Sequence, residues 1–270
     1  MSKLESNWLD LRCLDDLANQ QTVVHSLNPC SKLLTTLAFS VIVTSFSKYE
    51  VTGLFPLLLY PIALITLGKL PYLHLAKRLL FVAPFVGFLS IFNPILDQSL
   101  FGVFGPFSIT GGWISFLSIT IKLVLTVTSA LILVATTGMN SICTALLQLG
   151  MPKPVVIQIL LMYRYLHVLL EEFLRTVQAY QLRSVTAKGI HYHAWGSLLG
   201  QLLLRSIARA QRIYQAMLCR GFNGQMPSHY AVSWDKSDQA YLLLWLAFFL
   251  GCRLVNIPQA LGKLLTGGLS

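Results

Sequence analysis

Long apolar runs separated by clusters of charge set the layout of this chain. Residues 33–47 lie between Lys32 and Lys48, and 51–68 between Glu50 and Lys69. Further runs cover 79–96, 113–137 and 239–257, the last stopping at Pro258. A hydrocarbon core of about 30 Å needs about 20 apolar residues in a helix, so five runs predict five spanning helices. The first two are short, and their flanking lysines are expected to reach out to the interface. In hydrocarbon every backbone N–H and C=O must be paired internally, which leaves helices or a closed barrel. Barrel strands alternate apolar and polar residues, and these runs do not.

A different pattern fills residues 138–237. Gly150, Pro152 and Pro154 end a short helix and open a long one. There Val155, Ile159, Met162, Leu166, Leu169, Phe173 and Val177 recur every three or four residues, an apolar stripe along one face. Tyr163, Arg164, His167, Glu171 and Arg175 lie off the stripe. After a predicted loop around Lys188 to Trp195, a second long helix runs from Gly196 to Arg220. It puts Arg205, Arg209 and Arg212 on one face and Leu199, Leu202, Leu203, Ser206, Ala210, Ile213 and Met217 on the other. Arginines facing lipid are costly, so these two helices are expected at a membrane surface, crossing or pairing through their apolar faces. The fold class expected is an all-α integral membrane protein of about five transmembrane helices, carrying a domain of two long amphipathic helices.

Composition agrees: 55% of the 270 residues are hydrophobic and 11% charged, where soluble domains carry about 25% charged residues. Mean hydropathy is +0.66. With an N-terminus in the cytoplasm, sixteen of the twenty lysines and arginines fall inside and three outside, with Lys122 within a span. That asymmetry orients the chain. The expected organisation is a cytoplasmic N-terminal segment (1–32), four spans (33–137), a cytoplasmic helical domain (138–237), and a last span with a C-terminal tail (238–270). Acidic residues near the start, Glu5, Asp10, Asp15 and Asp16, do not look like the basic front of a cleaved signal peptide.

The net charge of +10 invites a nucleic-acid reading. A nucleic-acid binder would interleave basic and exposed aromatic residues, whereas these arginines lie on the polar faces of amphipathic helices. No G-x-x-x-x-G-K-[ST] motif is present, so the chain is not expected to hydrolyse ATP. No nucleophile–base arrangement, catalytic residue or cofactor motif stands out. Five scattered cysteines give neither a disulfide framework nor a zinc signature. His191-Tyr-His193 has a metal-site look, but two loop histidines without a third ligand are read as solvated. Gly196 and Gly200 fit the small-xxx-small pattern of close helix packing.

Two arginines sit where the long helices end: Arg183 in Leu182-Arg183-Ser184, and Arg220 in Cys219-Arg220-Gly221. Spacing alone suggests capped helix ends, with Gly221 as the left-handed stop. An alternative is that each guanidinium projects into an acidic groove on a partner.

The chain resembles the transmembrane (T) component of energy-coupling factor transporters, in the cobalt/nickel CbiQ branch. The resemblance rests on His25-Ser-Leu-Asn-Pro29 with Lys32, Leu67-Gly-Lys-Leu-Pro71 with Lys77-Arg78, and Pro84-Phe85 with Phe92-Asn-Pro94. It continues in Met162-Tyr-Arg-Tyr165 with Glu171-Glu172, and above all in Arg212-Ile-Tyr-Gln-Ala-Met-Leu-Cys-Arg-Gly-Phe222. It implies that the two long helices are coupling helices. Leu182-Arg183-Ser184 and Cys219-Arg220-Gly221 would each dock on one of two ABC-type ATPase subunits. The second motif keeps the family's Arg-Gly and departs at Cys219, while the first departs on both sides of Arg183. It further implies a separate substrate-specific membrane subunit that binds the metal, and a multi-pass protein of the bacterial inner membrane. A permease or channel that needs no ATPase, and the T component of a vitamin importer, stay open as alternatives.

Overall fold

In the computed structural model, the described residues are 20, 22–48, 50–91, 100–104, 107–183, 191–224 and 234–254. They fall into two compact units. One holds the described residues within Leu14–Ile142 and Val232–Ser270, the other those within Cys143–Ala231.

The first unit is a helical bundle. A short helix α1 (Val23–Ser26) leads into α2 (Pro29–Ser45). Two 3₁₀ turns, Thr52–Leu54 and Pro56–Leu58, precede α3 (Leu59–Gly68), and α4 (Tyr72–Ser90) follows. Next come β1 (Leu100–Phe104), β2 (Phe107–Thr110) and α5 (Gly111–Thr137). A helix α6 (Met139–Gln148) joins the units, and after the second unit the bundle is completed by α9 (Lys236–Leu254). Helix α2 packs on α5 and α9, and α5 also receives α3 and α4.

Three details depart from the sequence reading. The apolar run 51–68 is α-helical only from Leu59, because its first residues wind into 3₁₀ turns around Gly53 and Pro56. The run 79–96 belongs to a helix that starts at Tyr72. Charge ends an apolar run without ending a helix, so Lys77 and Arg78 occupy its early turns; residues 92–99 lie outside the described residues. Between the apolar runs 79–96 and 113–137, where the sequence reading placed no regular element, lies an antiparallel hairpin, with Gly102 opposite Ile109 and Phe104 opposite Phe107. The rest of the described secondary structure is helical, and the protein is a helical membrane protein as its pattern predicts.

An aromatic cluster fixes the bundle's centre. Phe39 of α2, Tyr60 of α3 and Phe249 of α9 are fully buried. The Tyr60 ring stands 4.7 Å from Phe39, 4.8 Å from Trp245 and 5.2 Å from Phe249, the last two edge-on. Such tilted pairs add about 0.5–1.5 kcal/mol each beyond burial. Hydroxyls buried in the helices bond backward along their own chain: Thr35 and Thr36 donate to the carbonyls of Ser31 and Lys32 at 3.0 Å. Neither of these two hydroxyls is then left unpaired in an apolar surround.

Polar ties hold α2 at both ends. At its start the Asn28 side chain accepts from the Cys30 N–H at 2.9 Å, a helix cap. The Asn28 N–H donates to Asp238 of α9 at 2.8 Å, and Asp238 also accepts from the Asp235 N–H at 3.1 Å. Buried Lys32 donates to the carbonyl of Thr136, at the end of α5, at 3.1 Å. At the far end, Lys122 of α5 donates to the carbonyls of Phe46 and Ser47 at 2.6 and 3.2 Å. Arg253 of α9 reaches the Ser45 carbonyl at 3.1 Å, pairs with Glu50 at 3.6 Å and lies over the Phe46 ring. Starts meet starts and ends meet ends between α2 and α9, so these helices are parallel. Helix α5 runs against both.

Candidate coupling site

The second unit is built on two long helices, α7 (Lys153–Arg183) and α8 (Tyr192–Cys219). Helix α6 ends in a reversal at Gly150 (φ +88°), where the Met151 N–H reaches back to the Leu146 carbonyl at 3.1 Å. Pro152 and Pro154 then start α7, where a missing N–H costs nothing.

Glu172 of α7 lies 2.8 Å from Arg209 and 3.9 Å from Arg205 of α8. Toward the end of α7, Arg183 shares a cleft with Ala194 and Ser197 from the start of α8. Toward the start of α7, Pro154 and Ile157 share a second cleft with Met217 and Phe222 from the end of α8. The two helices are therefore antiparallel.

This corrects the expected pairing through purely apolar faces. The face of α8 turned to α7 runs through Ala194, Leu198, Leu202, Ser206, Arg209 and Ile213, all partly buried, so it carries a charge at its middle. The stripe of α7 is also not sealed: Val155 and Met162 stay exposed, at 45% and 61%, while Val156 and Val177 are buried. Arg212 turns back to its own helix, donating to the Ala208 carbonyl at 3.3 Å.

The terminal motifs are placed as follows. Leu182 is 87% exposed and Arg183 is exposed. Ser184 lies outside the described residues, as do Cys13, Lys188, His229 and the Phe92-Asn-Pro94 stretch. Cys219, Arg220 and Gly221 are exposed. Gly221 has φ +78°, and the Phe222 and Gly221 N–H groups bond back to the Met217 and Leu218 carbonyls, each at 3.0 Å. That double return is a Schellman stop, and it leaves Arg220 on the last turn with its side chain outward. Because the helices are antiparallel, Arg183 and Arg220 lie near opposite ends of the pair, separated by about 35–40 Å at 1.5 Å per residue.

Gly196 and Gly200 do not serve a close approach within the described residues, for a Cβ on either would meet nothing within 4 Å. They sit two residues from Ala194 and Leu198, hence on the face of α8 turned away from α7. His191 precedes the first turn of α8 and His193 lies in it, both exposed, rather than in the predicted loop. Among the described residues no three of His, Cys, Asp and Glu come together. Burial pushes the Cys143 thiol of α6 up, so it stays protonated and inert.

Sequence reasoning missed two groups. Asp238 drew no attention, although a lone acid three residues after Asp235 at the start of an apolar run is a capping signal. Lys122, placed within a span by the sequence without a partner named for it, caps α2, its ammonium on carbonyls at the helix end.

Residues 20–230 match the CbiQ family, described as cobalt transport protein. The chain is 29% identical over 188 residues to an uncharacterized protein of Methanocaldococcus jannaschii, across 66% of this chain and 64% of that one. Over 89 residues it is 34% identical to the nickel permease LarQ of Lactiplantibacillus plantarum, a stretch covering 33% of each protein. It thus spans less than two thirds of the length of either relative. With four fifths of its length inside the matched region, and its fold that of a helical membrane protein, this chain belongs to the CbiQ family of cobalt transport proteins.

Proposed function

We propose that the protein is the energy-coupling membrane scaffold of an ATP-driven importer for cobalt or nickel ions. The observation that carries the reading is the antiparallel pair α7/α8, which ends in two exposed arginines, Arg183 and Arg220, at opposite ends. In this reading the motifs 182–184 and 219–221 dock on two ABC-type ATPase subunits, which hydrolyse the nucleotide. A separate membrane subunit captures the ion. Movement of the ATPases displaces the helix tips, and the long helices pass the displacement to the spans.

The membrane arrangement supports the reading. Five spans with a cytoplasmic N-terminus require the first and last to run the same way and the fourth to oppose them. The ties between α2, α9 and α5 have that sense. Helix α7 is long and apolar enough to cross a membrane by length and composition alone, as is α5. Glu171, Glu172 and Arg175 in its second half, and the Glu172–Arg209 pair, favour the membrane surface in the plasma membrane's cytoplasmic leaflet.

The test is to co-express the chain with ABC-type ATPases and a substrate-binding membrane subunit, and to compare wild type with Arg220→Glu. The expected result is loss of ATPase co-purification, or ATP hydrolysis uncoupled from cobalt or nickel uptake into vesicles. Unchanged assembly and uptake, or uptake by the chain alone, would replace the scaffold with a self-contained permease.

A further inference from the structure

The seam between α7 and α8 opens into two clefts that meet. One, of about 540 Å³, has a mixed lining and carries Arg175, Arg183, Arg205 and Arg209 against Glu171 and Glu172. The other, of about 700 Å³, is lined chiefly by apolar groups such as Leu161, Leu169, Ile213, Met217 and Phe222. Val168 and Arg209 border both, so the two form one trough with a basic end and a greasy end.

We propose that this trough binds an anionic phospholipid, its phosphate among the arginines of the basic half and an acyl chain along the apolar half. Four guanidinium groups against two carboxylates leave a net positive end, and guanidinium forks suit phosphate oxygens. A basic pocket between helices on the cytoplasmic side is the usual setting for anionic headgroups. Length agrees as well: from Ile157 to Leu169 the apolar half extends about 18 Å along α7. That gives room for an acyl chain laid lengthwise along helices that rest at the membrane surface. A zwitterionic lipid would leave the arginine excess uncompensated, and a free anion would leave the apolar half wet.

The inference rests on the reading that α7 and α8 lie at the cytoplasmic membrane surface; it shares Arg183 with the first docking motif, so its test uses Arg175 and Arg205, which the docking motifs do not include. Loss of lipid binding would leave the Arg220→Glu result untouched, and the reverse also holds. The experiment is native mass spectrometry of the purified full chain with phosphatidylglycerol, phosphatidylcholine or inorganic phosphate. The variants are Arg175→Gln/Arg205→Gln, which weakens the basic half, and Ala210→Trp, which fills the apolar half. Wild type is expected to hold phosphatidylglycerol at least tenfold more tightly than phosphatidylcholine. The double variant should lose that preference, and Ala210→Trp should lose binding of both lipids. Equal binding of the two lipids, or a preference kept in the double variant, would overturn the site. Displacement of phosphatidylglycerol by inorganic phosphate at equal concentration would make it a free-anion site and overturn the lipid assignment. If a variant does not purify monodisperse, photoactivatable phosphatidylglycerol on the wild type reads the same question. Label on 157–169 and 206–217 supports the trough. Label confined to other helices, or appearance of a protein partner in place of lipid there, refutes it.

Discussion

Replacing Lys32 by Met tests whether the polar tie between α2 and α5 holds the bundle. The Lys32 side chain is nearly isosteric with Met, so the change deletes a charge and its donors while filling the same space. In the native protein only 3% of the residue is exposed. Its ammonium donates to Thr136 O at 3.1 Å and His25 O at 3.4 Å. Thr136 O is one of the final carbonyls of α5, which lack an intrahelical partner. A hydrogen bond from a charged donor contributes about 1.5–3 kcal/mol, and stranding its buried acceptor adds to the loss. Against this stands the ammonium's own desolvation, which the substitution relieves. A net destabilisation of about 2 kcal/mol follows, or ~4–8 °C in melting temperature at about 2–4 °C per kcal/mol for a chain of this size. The assay is thermal unfolding in detergent, followed by fluorescence of Trp245, which lies in the aromatic cluster. Asp238→Asn is the companion variant: it weakens the acceptor that binds Asn28 N–H, and the two changes together should fall short of additive. A melting point within 1 °C of wild type for Lys32→Met, or strict additivity with Asp238→Asn, would refute the claim that these groups act as one knot.

Glu172→Gln should loosen the α7/α8 pair, because Arg209 loses the carboxylate 2.8 Å away. Arg209 is over a third exposed, so the cost is about 1 kcal/mol, read as faster amide exchange at 168–176 with the bundle's exchange unchanged. Phe249→Ala removes a fully buried ring that touches both Phe39 and Tyr60. A loss of about 3–5 kcal/mol is expected in chemical unfolding, and a loss under 1 kcal/mol would show that the cluster does not hold α2, α3 and α9 together.

What the chain's pattern discloses follows from period and charge. The apolar runs located α2, α5 and α9 closely, since hydrocarbon forces continuous apolar residues and helical backbone. The helix stop at Gly221 was equally readable, because a left-handed turn after a helix favours a residue without Cβ. The hairpin at 100–110 escaped, as glycine and proline say that a chain turns but not that its flanks pair. Long-range ties escaped for a related reason. Nothing local to Lys32, Lys122 or Asp238 names Thr136, Phe46 or Asn28 as a partner; only the packed bundle brings them together. The seam of α8 was misjudged at Arg209 because a helical wheel ranks residues by polarity, whereas Glu172 on the opposing helix makes a charged position the favoured contact.

Two antiparallel helices are related by an approximate dyad passing between them, here near Glu172 and Arg209. Turning the pair half a circle about that axis exchanges Arg183 with Arg220. A partner made of two like halves with its own twofold axis can thus present the same pocket to each tip in equivalent fashion, whereas a lone subunit can grasp only one. The unequal flanks, Leu182 on one side and Cys219 with Gly221 on the other, would be where that symmetry breaks and where the two halves can be told apart.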